Sequence, residues 1–442
     1  MIDVRRIGLA LSLLFWTVPA AAEPSTDAAF VGWARDHAIA LPACSSISSG
    51  ADYSAIANRI GGARLVALGE PVHGAHEPLA LRNCLFRYLV ETQGFTAIAL
   101  ESGLHESRRL SDYAAGGQGD VRDIARSGFT WGFWRFPENI ELLEWIRAYN
   151  LDARHVRKIA FYGIDMSGGD ADGAWARARV TLDDGIAYLA RAAPAKSAPV
   201  RRKIAPFLAR FSVPGYRALG KGERARLRQG IGDILGFFDL HRAALIGASS
   251  REDYDWARQN IVAARQLQAL FDVSRDPGAD AALMPDDYRA DAARDAAMAD
   301  NARWALGRIG PKGRMLLFAH NGHVMNGRTR GGLWSVYAQP PAAMGLHLRR
   351  AFGDDLLILG TSAPAGKSEA GAISGTVDAA LASTGLAHFL IDIRSPDPAA
   401  SAWLSREQSI SVNYAAVNLI EPRQAFDALV FVSRLTPSGG TR

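Results

Sequence analysis

Residues 65–77 read LVALGEPVHGAHE. The first five are apolar or small, the length and composition of a strand buried on both faces. Glu70, His73, His76 and Glu77 then arrive within a few positions. PLALRNCLFRYLVETQ (78–93) follows with helical periodicity, and TAIALE (96–101) is a second apolar run, ending in Glu101. Strand, helix and strand at this spacing predict a parallel βαβ unit.

Working outward, the same kind of run recurs as KIAFYGID (158–165), RMLLFAHN (314–321), DLLILGT (355–361), HFLIDI (388–393) and DALVFV (427–432). PENIELLEWIRAYNLD (137–152) reads as another helix. The expected fold class is α/β, a mostly parallel central sheet flanked by helices. From about 171 to 305 there is no strand pattern and Ala, Arg and Leu dominate. That stretch reads as a helical insertion covering the cleft at one end of the sheet. The last residues, LTPSGGTR (435–442), are expected to fray.

The chain has 442 residues, 48% hydrophobic and 21% charged, the balance of a globular protein. MIDVRRIG, the apolar LALSLLFWTV and PAAAE together read as a signal peptide over 1–22, with Ala20 and Ala22 at the −3 and −1 positions of the cleavage site. Residues 23–442 form the expected mature domain, periplasmic or secreted, with no stable membrane insertion after cleavage. Cys44 and Cys84 are the only cysteines. In an oxidising compartment they suggest a disulfide, with two separate buried thiols as the alternative. Two cysteines exclude a Cys-rich zinc site. The net charge of +5 is spread through mixed stretches such as RARLRQGIGD, which argues for a solvated surface and against a nucleic-acid partner.

Four of the predicted strands deliver ionisable groups where they leave the sheet. These are Glu70 with His73 in the next turn, Glu101, Asp165, and His320 with His323. Singly, each has a plain reading: Glu70 as a helix N-terminal carboxylate, Asp165 as a cap, His76 as a surface residue. Jointly they point to one cleft, because a charge buried without partners is costly and catalytic groups gather at the carboxyl ends of parallel strands. Trp131, Phe133 and Trp134 are candidates to line it, although aromatic residues more often fill cores.

Several stretches resemble the erythromycin esterase family: LGEPVHGAHE, IALES, TWGFWRFPENIELLEWIRAYN, FYGIDM, MADNARWAL, FAHNGHV, MGLHLRRAFGDD and FDALVFV. The resemblance implies a hydrolase of an ester or lactone, in the named members a macrolide lactone, and hence a small-molecule partner. It implies that His73 activates water as general base, that Glu70, Glu101 and His320 complete the catalytic cluster, and that His323 lies close by. Arg82, Asp165 and Trp131 are the expected substrate-binding residues, with bracing the cluster or a plain surface position as the alternatives for Arg82. No Gly-x-Ser-x-Gly elbow stands at a strand end, which argues against a serine esterase. A His base beside a carboxylate can deprotonate water with no cofactor. Two alternatives use the same cluster: a divalent-metal hydrolase, and a periplasmic haem- or metal-binding protein.

Overall fold

The computed structural model describes residues 26–48, 50–169, 175, 177–274, 288–364, 372–412 and 416–439. The expected signal peptide, 1–22, lies outside the described residues. All seven apolar runs form strands of one sheet: β2 (Leu65–Glu70), β3 (Ala97–Gly103), β4 (Ala160–Asp165), β5 (Met315–His320), β6 (Leu356–Ser362), β7 (His388–Asp392) and β10 (Ala428–Val432). A short β1 (Ile39–Ala40) adds the eighth. The order is β1-β7-β10-β6-β2-β5-β3-β4. The strands from β10 to β4 run parallel, while β7 is antiparallel to both β1 and β10. Polar alternation marks neither β8 (Gln408–Val412) nor β9 (Ala416–Ile420) clearly, yet they pair as a separate hairpin.

The two-residue period of a strand sorts the core into two layers. Leu65 and Ala67 of β2 pack on one face with Met315, Leu317 and Ala319 of β5. Val66 and Leu68 pack on the other with Leu316, Phe318 and the helix His76–Gln93. Among the described residues between β4 and β5 there is only helix and irregular chain, built around a third apolar cluster. Its last helix, Tyr288–Arg308, returns to the sheet and buries Met298, Ala302 and Ala305 in the first layer. That helix carries polar groups from the helical portion back to the strand ends.

Register fixes the site. Glu70 stands directly opposite His320 across β2 and β5. On β3 the pairing with β4 shifts between Leu100 and Gly103, so that Gly103 meets Asp165. Gly69 is required by a close approach: a Cβ there would lie 2.1 Å from Asn321 Oδ1, the side chain that bonds the backbone of Thr361 on β6.

Cys44 and Cys84 are disulfide-bonded across 40 residues, tying the N-terminal segment to the helix His76–Gln93. A loop of that length restricts the unfolded chain by about 3–4 kcal/mol. Replacing both cysteines by serine is expected to destabilise the protein by about 3 kcal/mol in chemical denaturation. An unchanged unfolding midpoint would show that the bridge does not constrain the unfolded chain.

The segment expected to fray does not do so over 435–438. It bonds to the turn that follows β2, with Thr436 and Ser438 pairing against Gly74 and His76. Its backbone groups satisfy those of another turn.

Candidate active site

The strand ends open onto a cleft of about 390 Å³. His73, Glu101, His320 and His323 line it, together with Trp131, Phe133, Phe136, Trp334, Asp291 and Arg294. The sequence places the first four there because each leaves or follows a strand on the same side of the sheet.

His73 lies in the turn between β2 and the helix His76–Gln93. Its Nδ1–H donates to Glu70 Oε1 at 2.7 Å, which leaves Nε2 as the nitrogen turned towards Glu101, with Oε1 4.0 Å away. Its ring packs beside those of Phe133 and His320, with centroids 5.4 and 5.1 Å distant. Burial opposes charge on His73, but Glu101 and Glu70 outweigh it and hold the imidazole above its ordinary value of 6.5. Burial pushes the Glu70 carboxyl up, against the pull of His73.

Glu101 is the hub. Oε2 accepts the backbone N–H of His320 at 2.8 Å. Oε1 receives Arg294 Nη2 at 2.9 Å and His323 Nε2 at 3.3 Å. Burial would raise its pKa, but His323, His73 and Arg294 hold the carboxyl well below the carboxylate range.

His320, at the end of β5, and His323, in the helical turn after it, differ from each other. His320 accepts the Gly322 N–H at Nδ1, and its Nε2 lies 3.1 Å from the Pro71 carbonyl, which places its proton on Nε2. Burial, with His73 and His323 nearby, drops its pKa to about 3, so it is a neutral ring tied to backbone at both nitrogens. His323 is clamped between Asp295 Oδ1, 2.9 Å from Nδ1, and Glu101. Burial opposes its charge, but these carboxylates prevail and raise it to about 10.

Arg294 was not visible from the sequence as a site residue. It comes from the helix Tyr288–Arg308, where Asp291, Arg294 and Asp295 share one face at i, i+3 and i+4. That spacing was the available signal, and it has no strand end to mark it. Arg294 Nε and Nη2 reach the two oxygens of Asp165 at 3.0 and 2.6 Å. Its Nη1 has no carboxylate partner among the described residues and sits 3.4 Å from His323 Nε2. Burial opposes its charge, but Asp165 and Glu101 hold it firmly protonated. Asp295 also accepts the Met344 N–H, fixing the far side of His323.

Two expected substrate-binding residues are corrected. Asp165 is fully buried, and Arg294, the Trp131 indole N–H and the Met166 N–H occupy its oxygens. It holds Arg294 and Trp131 in place and has no surface for a substrate. Arg82 is 1% exposed, outside the cleft lining, with its guanidinium on Asn83 and Asn139 and over the Phe318 ring. The helix after β2 packs on the Val66–Leu68 face, so Arg82 lies beneath the strand ends and braces them from below. Burial lowers its pKa to about 10.

Trp131 does line the cleft. Its backbone is left-handed at φ 58°, an uncommon state for a bulky residue and one that tends to mark functional sites. Gly169 leaves room for the ring: a Cβ there would be 2.5 Å from it. Trp134 turns away and packs against Arg126 and Arg135.

The donor chemistry bears on a metal or haem. Carboxylates or backbone groups hold both nitrogens of His320 and His323, and Glu70 holds one nitrogen of His73. A cation in the cleft would find one free imidazole nitrogen. Among the described residues no three His, Cys, Asp or Glu side chains are grouped to hold a metal ion.

The sequence model of the erythromycin esterase family matches residues 90–435. Glu101 to His323 lie within that span, and Glu70 and His73 precede it. An erythromycin esterase type II of Escherichia coli is 26% identical over 362 residues, covering 77% of this chain and 78% of that protein. A type I esterase of Escherichia coli is 32% identical over 115 residues, 26% of this chain and 27% of that one. A Bacillus cereus protein of known structure superposes with a TM-score of 0.75 at 23% identity, covering 95% of this chain and all of the other at 100%. A succinoglycan biosynthesis protein gives 0.74 at 20%, with coverage of 94% and 99%. A mutant of the erythromycin esterase EreC in its open conformation gives 0.66 at 18%, with coverage of 91% and 99%. These structural likenesses speak for the fold alone.

Proposed function

The chain belongs to the erythromycin esterase family, and from its cleft we propose a metal-independent carboxylic ester hydrolase that activates water at His73. The observation that carries this reading is the Glu70–His73 pair, which commits Nδ1 and leaves Nε2 as the open nitrogen. That is the arrangement of an oriented general base.

In the proposed reaction a water on the cleft side of His73 gives its proton to Nε2 as its oxygen attacks the ester carbonyl. The developing oxyanion is met by Arg294 Nη1, the nitrogen of that guanidinium with no carboxylate of its own, beside the charged His323. The ester C–O bond then breaks. The leaving alkoxide takes the proton from His73, giving an acid and an alcohol. Glu101 restrains both cations and His320 packs against the base as a neutral ring.

The substrate is proposed to be an ester or lactone with an apolar body. Trp131, Phe133, Phe136 and Trp334 supply aromatic walls, and Asp291, held by Tyr337 and Trp334, supplies an acceptor. A macrolide lactone is the first candidate, because relatives carry that name. Residues 1–22 and the Cys44–Cys84 bridge support a periplasmic or secreted location as part of the same proposal.

The test is hydrolysis of aryl esters and macrolide lactones by the mature chain, with and without chelator, across pH. His73 works only as the neutral base, and its pKa is held above 6.5. Activity should therefore be lost as pH falls, with the acid limb of kcat/KM above 6.5. Glu101→Gln removes a negative charge that favours the imidazolium, so the limb should move to lower pH. Loss of all turnover on chelation, with recovery on adding metal, would replace this mechanism by a metal-assisted one. A limb unmoved in Glu101→Gln would remove His73 as the titrating group.

A further inference from the structure

We propose that the segment 435–438 is a positioning strap for the catalytic turn, holding His73 and the aromatic wall of the cleft in register with each other. The inference rests on the reading of His73 as the base.

The strap makes bonds of two kinds. Along the backbone, His76 N–H donates to the Thr436 carbonyl and Ser438 N–H donates to the Gly74 carbonyl, each at 2.8 Å, around an antiparallel bridge between Ala75 and Pro437. These groups flank Ala75, two residues after His73, at a turn where Gly74 has φ 75°. Through side chains, Thr436 donates to both oxygens of Glu77, from its N–H at 2.7 Å and its hydroxyl at 2.9 Å. Arg434 Nε adds an ion pair with Glu77 at 3.5 Å.

A second anchor reaches the other wall. Glu138 is in the first turn of the helix Pro137–Leu151, directly after Phe133 and Phe136. One of its oxygens meets His76 Nδ1 at 2.6 Å, and the other accepts the hydroxyl of Ser438. The strap therefore bonds the turn carrying His73 and the helix whose lead-in carries Phe133 and Phe136. His76, expected as a surface residue, and Glu77 are the sockets for it.

The physical reason for such a device is short range. Among the described residues the His73 side chain is held by one hydrogen bond, to Glu70, and by ring packing. The turn around it has no strand or helix of its own to fix its backbone. A base must be held to within about half an ångström of its working position, and a misplacement near 1 Å costs about a hundredfold in rate.

The test compares the chain ending at Arg434 with Thr436→Val and Thr436→Ser in the full chain, at a temperature where circular dichroism shows each folded. Two readouts are used: ester turnover, and the two-bond ¹H–¹⁵N signals of the His73 ring, identified by their loss in His73→Asn. The shortened chain should lose about tenfold or more in kcat with a smaller change in KM, and its His73 signals should shift and broaden. Thr436→Val should lose about threefold, while Thr436→Ser, which keeps the hydroxyl, should stay near wild type. A folded, shortened chain with wild-type kcat and superimposable His73 signals overturns the strap. If shortening prevents folding, equal kcat and equal His73 signals in Thr436→Val and wild type overturn it. Failure of the underlying reading looks different: full-length turnover would then be indifferent to His73→Asn, whatever the strap does to the His73 signals.

Discussion

His73→Asn is expected to lower kcat by about a thousandfold with little change in KM, while leaving the protein folded. The base acts on a proton that moves only in the transition state, so its loss is read in kcat. Asparagine is the informative replacement because its amide N–H₂ can still donate to Glu70. The buried carboxyl keeps a partner, and stability is held nearly constant. Alanine would remove the base and orphan Glu70 together, confusing the two effects. The acid limb of the pH profile should vanish with the imidazole. Turnover within threefold of wild type in folded His73→Asn would move the proton transfer to another group.

The second large effect concerns stability. Arg294→Met should destabilise the protein by about 3–5 kcal/mol, because it leaves the fully buried Asp165 without its countercharge. The Trp131 indole and the Met166 N–H still donate to that carboxylate, but neither carries charge. Adding Asp165→Asn should recover a substantial part of the loss, since the unpaired charge and not the lost contact dominates it. Arg294→Lys separates the proposed oxyanion role from the structural one. It keeps a cation against Asp165 and removes Nη1, the nitrogen without a carboxylate partner, so kcat should fall about a hundredfold while most of the stability remains. Denaturant midpoints and steady-state rates measure both. A loss below about 1 kcal/mol in Arg294→Met would show that solvent reaches Asp165 and replaces the guanidinium.

This arginine also marks the limit of what the chain discloses when read in order. Glu70, Glu101, Asp165 and His320 were legible because an apolar run has a definite end, and in a parallel sheet all such ends face one way. Arg294 and Asp295 lie on an alanine-rich helix, where a charge every few residues is also the pattern of a solvated face. Asp165 meets Arg294 across 129 positions of sequence, and nothing local announces that pairing. The same lack of local signal put Arg82 and Asp165 in the wrong role: both are site-adjacent, and only packing distinguishes a group beneath the cleft from one that lines it.

The sequence by itself determined the α/β class, the seven main strands and the end of the sheet at which Glu70, Glu101, Asp165 and His320 stand. Each follows from short-range periodicity, in which a residue's neighbours along the chain settle its state. Only the tertiary structure decided that His320 is neutral and backbone-bound while His323, three residues on, is charged. It alone decided that the tail-like residues 435–438 bind the turn that carries His73. Protonation, orphan donors and straps depend on which distant groups come within a few ångströms, and burial makes those contacts decisive because water no longer competes for them.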